Sequence, residues 1–368
     1  MPMDGPGAVI DPAPPLPAPE PAAPISPDAL LRGLWYFALP SRALKPGRLV
    51  GKTLVGEPVV FARTPAGEVY ALRDICPHRG IPLRHGRMVG AEVECPYHGW
   101  RFGANGACSL IPSLVEGQEM DLAKIRVRRY PVVERQGLIW IYIGAPGEEP
   151  AVAPPEVPIP AGAQPKMVSR VHFPCHVDHA VIGLMDPAHG PFVHRSWWWR
   201  SGRSIHAKAK EFAPTERGFA MVRHKPSRNS AGYRILGGEI STEISFQLPS
   251  IRIEHMKAGP NTVVGLTAVT PINARETELH QIFYWTIPLL SVLKPVLGIF
   301  ARRFLNQDLG VVVKQQEGLA HNPALMLIND ADTQAKWYFR LKREWQVAQA
   351  EGRPFRNPLK PATLRWRS

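Results

Sequence analysis

Cys76-Pro77-His78 and Cys95-Pro96-Tyr97-His98 are the two short segments that decide how the rest of this sequence is organised. Each segment pairs one Cys with one His, and a Pro directly follows each Cys. Thiolate sulfur and imidazole nitrogen are both good ligands for transition metals, so the pattern predicts a metal centre. The predicted ligands are Cys76, His78, Cys95 and His98.

Two kinds of metal centre use two Cys and two His. In a Rieske [2Fe–2S] cluster, two thiolates bind one iron and two imidazoles bind the other. A structural zinc ion also accepts this set, but zinc fingers usually pair Cys with Cys and His with His along the chain. The alternation of Cys and His in this sequence therefore favours the [2Fe–2S] cluster and leaves zinc as the alternative.

Short strands and tight turns surround the motif. Residues 57–62 and 68–72 flank a Thr-Pro-Ala-Gly turn, and residues 126–134 and 138–143 flank an Arg-Gln-Gly turn. Both arrangements are hairpin signals. Because the motif lies between the two hairpins, we predict a small antiparallel β domain that carries the cluster on two loops at its tip.

Composition divides the chain into four parts. Residues 1–27 contain ten Pro and lack apolar periodicity, which predicts a disordered arm. Residues 28–150 are the predicted cluster domain, and residues 151–166, rich in Pro and Ala, are the predicted linker. Residues 167–368 are the predicted second domain, which ends in a basic tail.

The second domain mixes strands and a long helix. Residues 233–256 and 262–287 alternate in polarity and are each predicted to form a long strand. Residues 292–319 are predicted to form a helix broken by Pro295. The pattern indicates an α+β fold with an antiparallel sheet.

A further group of metal-binding residue types occurs in Asp186-Pro187-Ala188-His189-Gly190-Pro191-Phe192-Val193-His194. Two His and one carboxylate with open positions form the site of non-haem Fe(II) oxygenases. On a continuous helix His189 and His194 would point roughly 140° apart, so we expect the Gly-Pro pair between them to distort the backbone. The carboxylate need not be local. Asp308, at the start of an apolar helical segment, is the best distant candidate.

Length and cysteine content fit an intracellular protein of two domains. The chain has 368 residues, enough for two sizeable cores. Cys108 and Cys175 lie outside the motif and far apart, and we expect them to be small buried residues rather than a disulfide. The N-terminus lacks the features of a secretory signal. The expected location is the cytoplasm.

The charge of the chain is consistent with acidic partners and equally with a basic surface that serves only solubility. The net charge is +13, and residues 1–30 carry −4, so the remainder carries +17 (13 + 4). Such a field attracts acidic proteins. Nucleic acid is not a predicted partner because no recognised binding motif accompanies the charge. The apolar run 282–300 contains Pro288, Lys294 and Pro295 and is better explained by a strand and a short helix than by a membrane span. Peripheral contact with a membrane is the less favoured alternative there.

The chain resembles the Rieske non-haem iron oxygenases, which include the α-subunits of aromatic-ring-hydroxylating dioxygenases and related monooxygenases. The resemblance covers residues 32–320 and rests on CPHRG at 76–80, CPYHGW at 95–100 and the Asp-x₂-His-x₄-His element at 186–194. The distal carboxylate of the family maps to Asp308. The third motif is most similar to the branch that contains pheophorbide a oxygenase and vanillate demethylase.

The resemblance implies a terminal oxygenase with a helix-grip-like second domain. A [2Fe–2S] cluster and an Fe(II) ion held by His189, His194 and Asp308 would use O₂ to hydroxylate or demethylate a hydrophobic, ring-containing substrate. Electrons would come from NAD(P)H through a separate reductase, with an acidic ferredoxin as a further carrier. The family arrangement is a homotrimer in which Asp186 links the cluster of one subunit to the iron of the next, so Asp186 is the predicted catalytic residue.

One position departs from the family pattern. Many relatives have an Asn three residues before the bridging Asp, where this chain has Gly183. Its hydrogen-bonding role would have to pass to another residue, and His176 and His179 are the candidates. This departure keeps open an alternative, a Rieske electron-transfer or redox-sensing protein without turnover. The ~200 residues beyond the first domain disfavour pure electron transfer, which needs the first domain alone.

Overall fold

A computed structural model describes residues 26, 28–194, 205–225 and 239–368 of the chain. The predicted disordered arm at residues 1–27 therefore lies outside the described residues, apart from Ser26. The described residues form a β-rich first half and a second half in which helices cover one large antiparallel sheet. The α+β prediction is confirmed.

The first half consists of short antiparallel strands. Their bounds are β1 Leu34–Pro40, β2 Arg48–Leu54, β3 Glu57–Arg63, β4 Val69–Arg73, β5 Arg87–Val89, β6 Glu92–Glu94, β7 Arg101–Phe102, β8 Cys108–Leu110, β9 Arg129–Tyr130, β10 Val132–Arg135 and β11 Leu138–Ile143. Single turns of 3₁₀ helix occur at Ser41–Ala43, Leu83–His85 and Leu122–Lys124. The sheet orders are β1-β11-β10, β2-β3-β4-β9 and β5-β6-β7-β8. Both predicted hairpins are present, as β3–β4 and β10–β11.

β1 and β11 join the two halves because both of their faces are buried. Every residue of β11 is buried, which is why its sequence, LIWIYI, is continuously apolar rather than alternating. Its odd-numbered residues enter a core shared with the helices of the second half, whereas Trp140 and its even-numbered neighbours enter a core against the large sheet. The two halves are therefore packed through this small sheet.

The second half contains the remaining strands and the helices. Their bounds are β12 Met167–Phe173, α1 Val177–Met185, α2 Gly190–Val193, β13 Ala207–Thr215, β14 Gly218–His224, β15 Ile240–Gln247, β16 Ile251–Ala258, β17 Asn261–Pro271, β18 Thr277–Trp285, α3 Pro288–Val292, α4 Lys294–Leu319, α5 Thr333–Ala350 and β19 Ala362–Arg367. Within the described residues, the sheet has the order β12-β18-β17-β16-β15-β14-β13-β19, with every neighbouring pair antiparallel.

The predicted long strands are wrong in length. Residues 239–258 form the hairpin β15–β16 and residues 261–285 form the hairpin β17–β18; residues 233–238 of the first prediction lie outside the described residues. Alternation continues across each turn because both strands of a hairpin keep the same face toward the core. Pro249 lies in the first turn, where no ladder hydrogen bond from its nitrogen is needed.

One prediction for the C-terminal part needs correction. Pro295 does not break a helix; it lies in the first turn of α4, where its missing N–H has no partner to lose. The basic tail, for which the sequence predicted no secondary structure, forms α5 and the edge strand β19, and Trp337, Trp345 and Trp366 are buried in the main core. None of the helices in the described ranges combines the length and apolarity needed to cross a membrane.

A buried polar cluster lies where the two halves meet. Lys52, on β2, forms an ion pair with Glu278 on β18 and also donates to the carbonyl of Ala38 at 2.8 Å. His280 is 3% exposed, and its ring contacts Phe37 with the ring centroids 4.8 Å apart. Burial lowers the pKa of His280 to about 3; Glu278 opposes this, whereas Lys52 and Arg170 add to it.

We predict that His280 makes the fold acid-sensitive. Because the folded-state pKa lies below the usual value of 6.5, the folded protein keeps the ring neutral, and stability is lost as the pH falls from 6.5 toward 3. The loss is at most about 1.4 kcal/mol per pH unit from this group. His280→Gln should flatten the pH dependence of the free energy of unfolding between pH ~6.5 and ~5, measured by urea denaturation. Exposed His321→Gln is the control; parallel curves for His280→Gln and wild type would contradict the prediction.

Candidate metal centres

The two Cys-Pro loops have the same backbone geometry. The carbonyl of Cys76 accepts a hydrogen bond from the N–H of Gly80 at 2.9 Å, and the carbonyl of Cys95 accepts one from Gly99 at 3.1 Å. Both Gly residues have positive φ, 73° and 70°, which other residues rarely adopt. Equivalent turns place the two Cys at equivalent positions at the base of the loops.

The donor atoms of the loops suit a cluster with sulfur on one side and nitrogen on the other. Cys76 and Cys95 are buried free thiols, and burial together with the neighbouring thiol raises the pKa of Cys76 to about 11. The His78 and His98 rings lie 4.4 Å apart, nearer the surface. Nδ1 of His98 is buried without a hydrogen-bond partner, as expected for a nitrogen that binds a metal. These residues fit a [2Fe–2S] cluster.

Trp100, the last residue of the second motif, packs beside the candidate cluster site. Its ring stacks on His78, with centroids 4.6 Å apart and planes within 4°. The contact fixes the plane of the His78 ring. Tyr97, by contrast, is 54% exposed and contacts the other imidazole, of His98, with the centroids 3.9 Å apart. Trp100 therefore supports the site from within, and Tyr97 lies at the surface beside it.

The second site begins where α1 ends. Asp186 follows α1 directly, and its Oδ1 accepts the N–H of Ala188 at 2.7 Å, which turns the chain sharply. The short helix α2 follows, with His189 immediately before it and His194 immediately after it. The expected distortion at Gly190-Pro191 is absent, because these two residues begin the helical turn of α2. The backbone leaves the helix only at His194, whose φ and ψ are −93° and 61°. The two imidazoles therefore lie together rather than roughly 140° apart.

His189, His194 and Asp308 meet in space. Nε2 of His189 lies 3.2 Å from Nε2 of His194, and Oδ1 of Asp308 lies 3.2 Å from the latter and 3.8 Å from the former. The three ligand atoms are within 4.8 Å of one another. The sequence predicts that Asp308 lies at the start of a helical segment. In the structure Asp308 lies in the middle of α4, which already begins at Lys294.

Hydrogen bonds to the far side of each ring prepare the Nε2 atoms for a metal. Nδ1 of His189 lies 2.8 Å from the backbone carbonyl of Asp186, and Nδ1 of His194 lies 3.1 Å from Oε1 of Gln307. An oxygen acceptor at Nδ1 favours the tautomer with its proton there, which leaves the Nε2 lone pair free. With the Asp308 carboxylate, the donor set fits Fe(II).

The Asp186 side chain is held as a carboxylate. Burial would raise the pKa of Asp186, but interactions with His189 and with the N–H of Ala188 outweigh it and lower the pKa below its usual value. In turn, Asp186 and Asp308 outweigh burial at His189 and raise the pKa of that imidazole. The carboxylate remains about one-third exposed. It can therefore accept a hydrogen bond from outside the chain while it supports His189.

Sequence reasoning missed two residues of the second site. Phe304 stacks on His194 with the ring centroids 3.6 Å apart, and Gln307 is the acceptor at Nδ1 of the same ring. Phe304 lies four residues before Asp308 and so shares its face of α4, whereas Gln307 is the adjacent residue, about 100° around the helix. Their positions relative to Asp308 are the signal in the sequence that could have indicated these two residues. That signal is informative only once Asp308 is known to lie inside a helix.

Among the residues that the structure describes, neither candidate for the missing Asn has a hydrogen bond toward the site. His176 caps α1: its Nδ1 accepts from the N–H of Asp178 at 3.2 Å, and its Nε2 contacts the carbonyl of Asp28. His179 has a buried Nδ1 without a hydrogen-bond partner. A Cβ at Gly183 would meet no atom within 4 Å, so space beside α1 remains open there.

Comparison with known families identifies the first site. The family model of the Rieske [2Fe-2S] domain matches residues 34–131. The oxygenase component of dicamba O-demethylase from Stenotrophomonas maltophilia is 38% identical over 177 residues, which cover 45% of this chain and 48% of that protein. Chloroplastic chlorophyllide a oxygenase from Arabidopsis thaliana is 31% identical over 328 residues, covering 81% of this chain and 54% of that protein. The chain thus spans about half the length of these relatives.

Solved structures share the whole architecture. Dicamba monooxygenase bound to dicamba superimposes with a TM-score of 0.70 at 23% identity, covering 87% of this chain and 98% of that one. Pseudomonas putida CBB5 NdmA with caffeine gives a TM-score of 0.72 at 20% identity, covering 89% of this chain and 94% of that one. The likeness extends over both halves of the fold.

We predict that Cys95→Ser abolishes the cluster. Loss of one thiolate removes one of the two protein ligands of the sulfur-bound iron, so the visible absorption of the purified protein should disappear. Cys108→Ser is the matched control, because Cys108 is also a buried free thiol of the first half. Absorption and electron paramagnetic resonance spectra of both variants measure the effect. Normal spectra for Cys95→Ser, or zinc in the wild-type protein, would contradict the assignment.

We predict that Gln307→Leu weakens iron binding at the second site. The change removes the acceptor at Nδ1 of His194, and loss of such a partner typically costs ~10–100-fold in metal affinity. Iron retained during titration with a chelator provides the measurement. Asn306→Leu, an exposed neighbour on α4, should retain wild-type affinity. Equal affinity for Gln307→Leu and wild type would show that this hydrogen bond does not orient the ring.

Proposed function

We propose that this chain is a Rieske non-haem iron oxygenase and serves as the terminal oxygenase component of a multicomponent system. The observation that carries the proposal is the convergence of His189, His194 and Asp308 in a chain that also contains a Rieske domain. Electron transfer alone would require only the first site. A second donor set with two imidazoles and a carboxylate is useful for oxygen chemistry.

We assign the residues of this chain to two groups. Cys76, His78, Cys95 and His98 hold the [2Fe–2S] cluster, and His189, His194 and Asp308 hold Fe(II). When bound, the cluster supplies single electrons and the iron activates O₂ for hydroxylation or demethylation. Relatives named as an O-demethylase and as an oxygenase support this choice of reactions.

The side chains around the iron site orient and enclose it. Asp186 and Gln307 hold the two imidazoles in the tautomer that presents Nε2. Phe304 covers one face of His194 and keeps that side of the site apolar. An apolar wall beside the donor atoms supports a hydrophobic, ring-containing substrate.

Asp186 is the proposed link between the two centres. Its backbone carbonyl already contacts Nδ1 of His189, and its carboxylate is ionised and partly exposed. In a homotrimer, an imidazole N–H of the neighbouring subunit's cluster would donate to this carboxylate. Asp186 then acts as a positioning residue for electron delivery, and the homotrimer is part of the proposal.

The surface near the cluster supports an electron-donating partner. Arg79 follows His78 in the first loop, is exposed, and lies 5.9 Å from the centroid of the exposed Tyr97 ring. Exposed Arg and Tyr are the residue types that most often dominate protein interfaces. Together with the positive net charge, they favour an acidic ferredoxin or a reductase that carries electrons from NAD(P)H. A cytoplasmic location is part of this proposal.

Iron analysis and product analysis together test the function. The wild-type protein should hold roughly three iron atoms per chain, two in the cluster and one at the second site. With a generic reductase, NADH and a panel of hydrophobic ring compounds, it should form an oxygenated or demethylated product. Two iron atoms and no product would instead favour a redox-sensing or electron-transfer protein.

We predict that Asp186→Asn separates metal binding from turnover. The amide still caps the turn before α2 but cannot accept hydrogen bonds as a carboxylate does, so both metals should remain while the product rate falls at least about tenfold. Asp121→Asn is the matched control, because Asp121 also accepts the N–H two residues ahead in a turn. Iron content and steady-state turnover are measured for both. A near-normal rate for Asp186→Asn would remove Asp186 from the mechanism.

A further inference from the structure

An exposed apolar stripe runs along α3 and the start of α4. Leu289, Val292, Val296 and Ile299 are between 49 and 76% exposed. Their spacing of three, four and three residues puts them on one side of the helical segment. We call these four residues the α3–α4 stripe. Contiguous apolar surface of this kind marks an interaction site more often than scattered single residues do.

The opposite side of the α3–α4 segment packs against the protein. Leu290, Leu297 and Ala301 pack on a core formed with Met167 and Trp285 of the large sheet. The segment is therefore apolar on both sides, although one side faces the protein and the other faces solvent. A helix that is apolar all round is normally buried, so the outward side is expected to meet another apolar phase.

Positive charge frames the stripe. Arg302 and Arg303 follow Ile299 by three and four residues, and Lys294 lies at the start of α4; all three are exposed. Residues 279–307 contain no Asp or Glu. In the described ranges, no carboxylate lies within ion-pair distance of these three cations. Cations around an apolar stripe complement a surface that is anionic outside and apolar beneath.

We propose that the α3–α4 stripe docks on an anionic lipid surface. The segment would lie in the plane of the interface, with the stripe among the acyl chains and the Arg side chains extended to the headgroups. A second copy of this chain related by a two-fold axis fits less well, because that interface would bring the same unpaired cations together; a contact within the proposed homotrimer is an outcome of the test below. The occupant that satisfies both the apolar residues and the charges is a lipid surface.

The position of the stripe connects it with the second metal site. Ile299 and Asp308 are on the same helix, nine residues and therefore roughly 14 Å apart. If the proposed function holds, a hydrophobic substrate dissolved in lipid would enter near the iron without crossing water. This consequence rests on the proposed function, whereas docking itself does not.

Vesicle flotation of the full-length, metal-containing protein tests the docking. Vesicles of phosphatidylcholine alone are compared with vesicles that also contain phosphatidylglycerol, at low and high salt. We expect binding to the anionic vesicles and a loss of binding as salt screens the charges. The double variant Val292→Ser with Ile299→Ser should lose at least about tenfold in binding, and Arg302→Ala with Arg303→Ala a similar factor.

Matched controls separate the stripe from general surface properties. Val115→Ser with Met120→Ser removes two exposed apolar residues of the first half, and Arg42→Ala with Arg48→Ala removes two exposed cations there. Both controls should bind vesicles as the wild type does, and the visible spectrum of the cluster shows that every variant is folded.

Three results would overturn the proposal. They are absence of binding to anionic vesicles, equal losses in stripe and control variants, and self-association in ultracentrifugation that Val292→Ser with Ile299→Ser abolishes. The last result would assign the stripe to contacts between copies. Flotation involves no turnover, so its failure leaves the proposed oxygenase function untouched, and absence of product would not affect the flotation result.

Discussion

Three donor atoms from distant parts of the chain must meet within a few ångströms, and the second half of this fold is built around that constraint. His189 and His194 flank one helical turn, and Asp308 comes from the middle of a helix more than a hundred residues later. α4 packs against β12 and so against the large sheet, which gives Asp308 a rigid support. A site assembled this way depends on the core beneath it, since small displacements of a ligand strongly affect chemistry.

In the first half, two loops of the same geometry, rather than contacts between distant segments, bring the predicted ligands together. In each of two loops a Gly N–H donates a hydrogen bond to the carbonyl of the Cys, and the two loops carry the predicted cluster ligands. The cysteines of both loops are packed in one compact core. Local turns alone can therefore arrange this site. The joint between the halves is the β1–β11 pair, buried on both faces, with Lys52 and Glu278 paired beside it. A joint of this kind favours a fixed relation between the two candidate metal sites within one chain.

The apolar run at residues 282–300 illustrates how one sequence supports several structures. A buried strand, a core helix and a membrane-facing helix all require apolar residues, so composition could not distinguish them. In the fold, different residues of this run have different surroundings. β18 ends at Trp285, Leu290 and Leu297 are packed in a core, and Val292 and Ile299 are exposed. Whether an apolar residue is core or surface is decided by which elements pack against it, and that is a tertiary property.

By itself, the sequence determined the elements whose chemistry is local: the Cys-Pro loops, the hairpins β3–β4 and β10–β11, and the antiparallel α+β character of the second half. It also indicated Asp186, His189, His194 and Asp308, the last as the best distant carboxylate, to which the family resemblance also maps the distal ligand. Tertiary structure alone decided that two predicted strands are hairpins, that the C-terminal tail is α5 and β19, and that Gln307 and Phe304 support His194. The reason is physical: local motifs are held by turns and hydrogen bonds between near neighbours, whereas convergence, burial and exposure depend on packing between segments far apart in the chain.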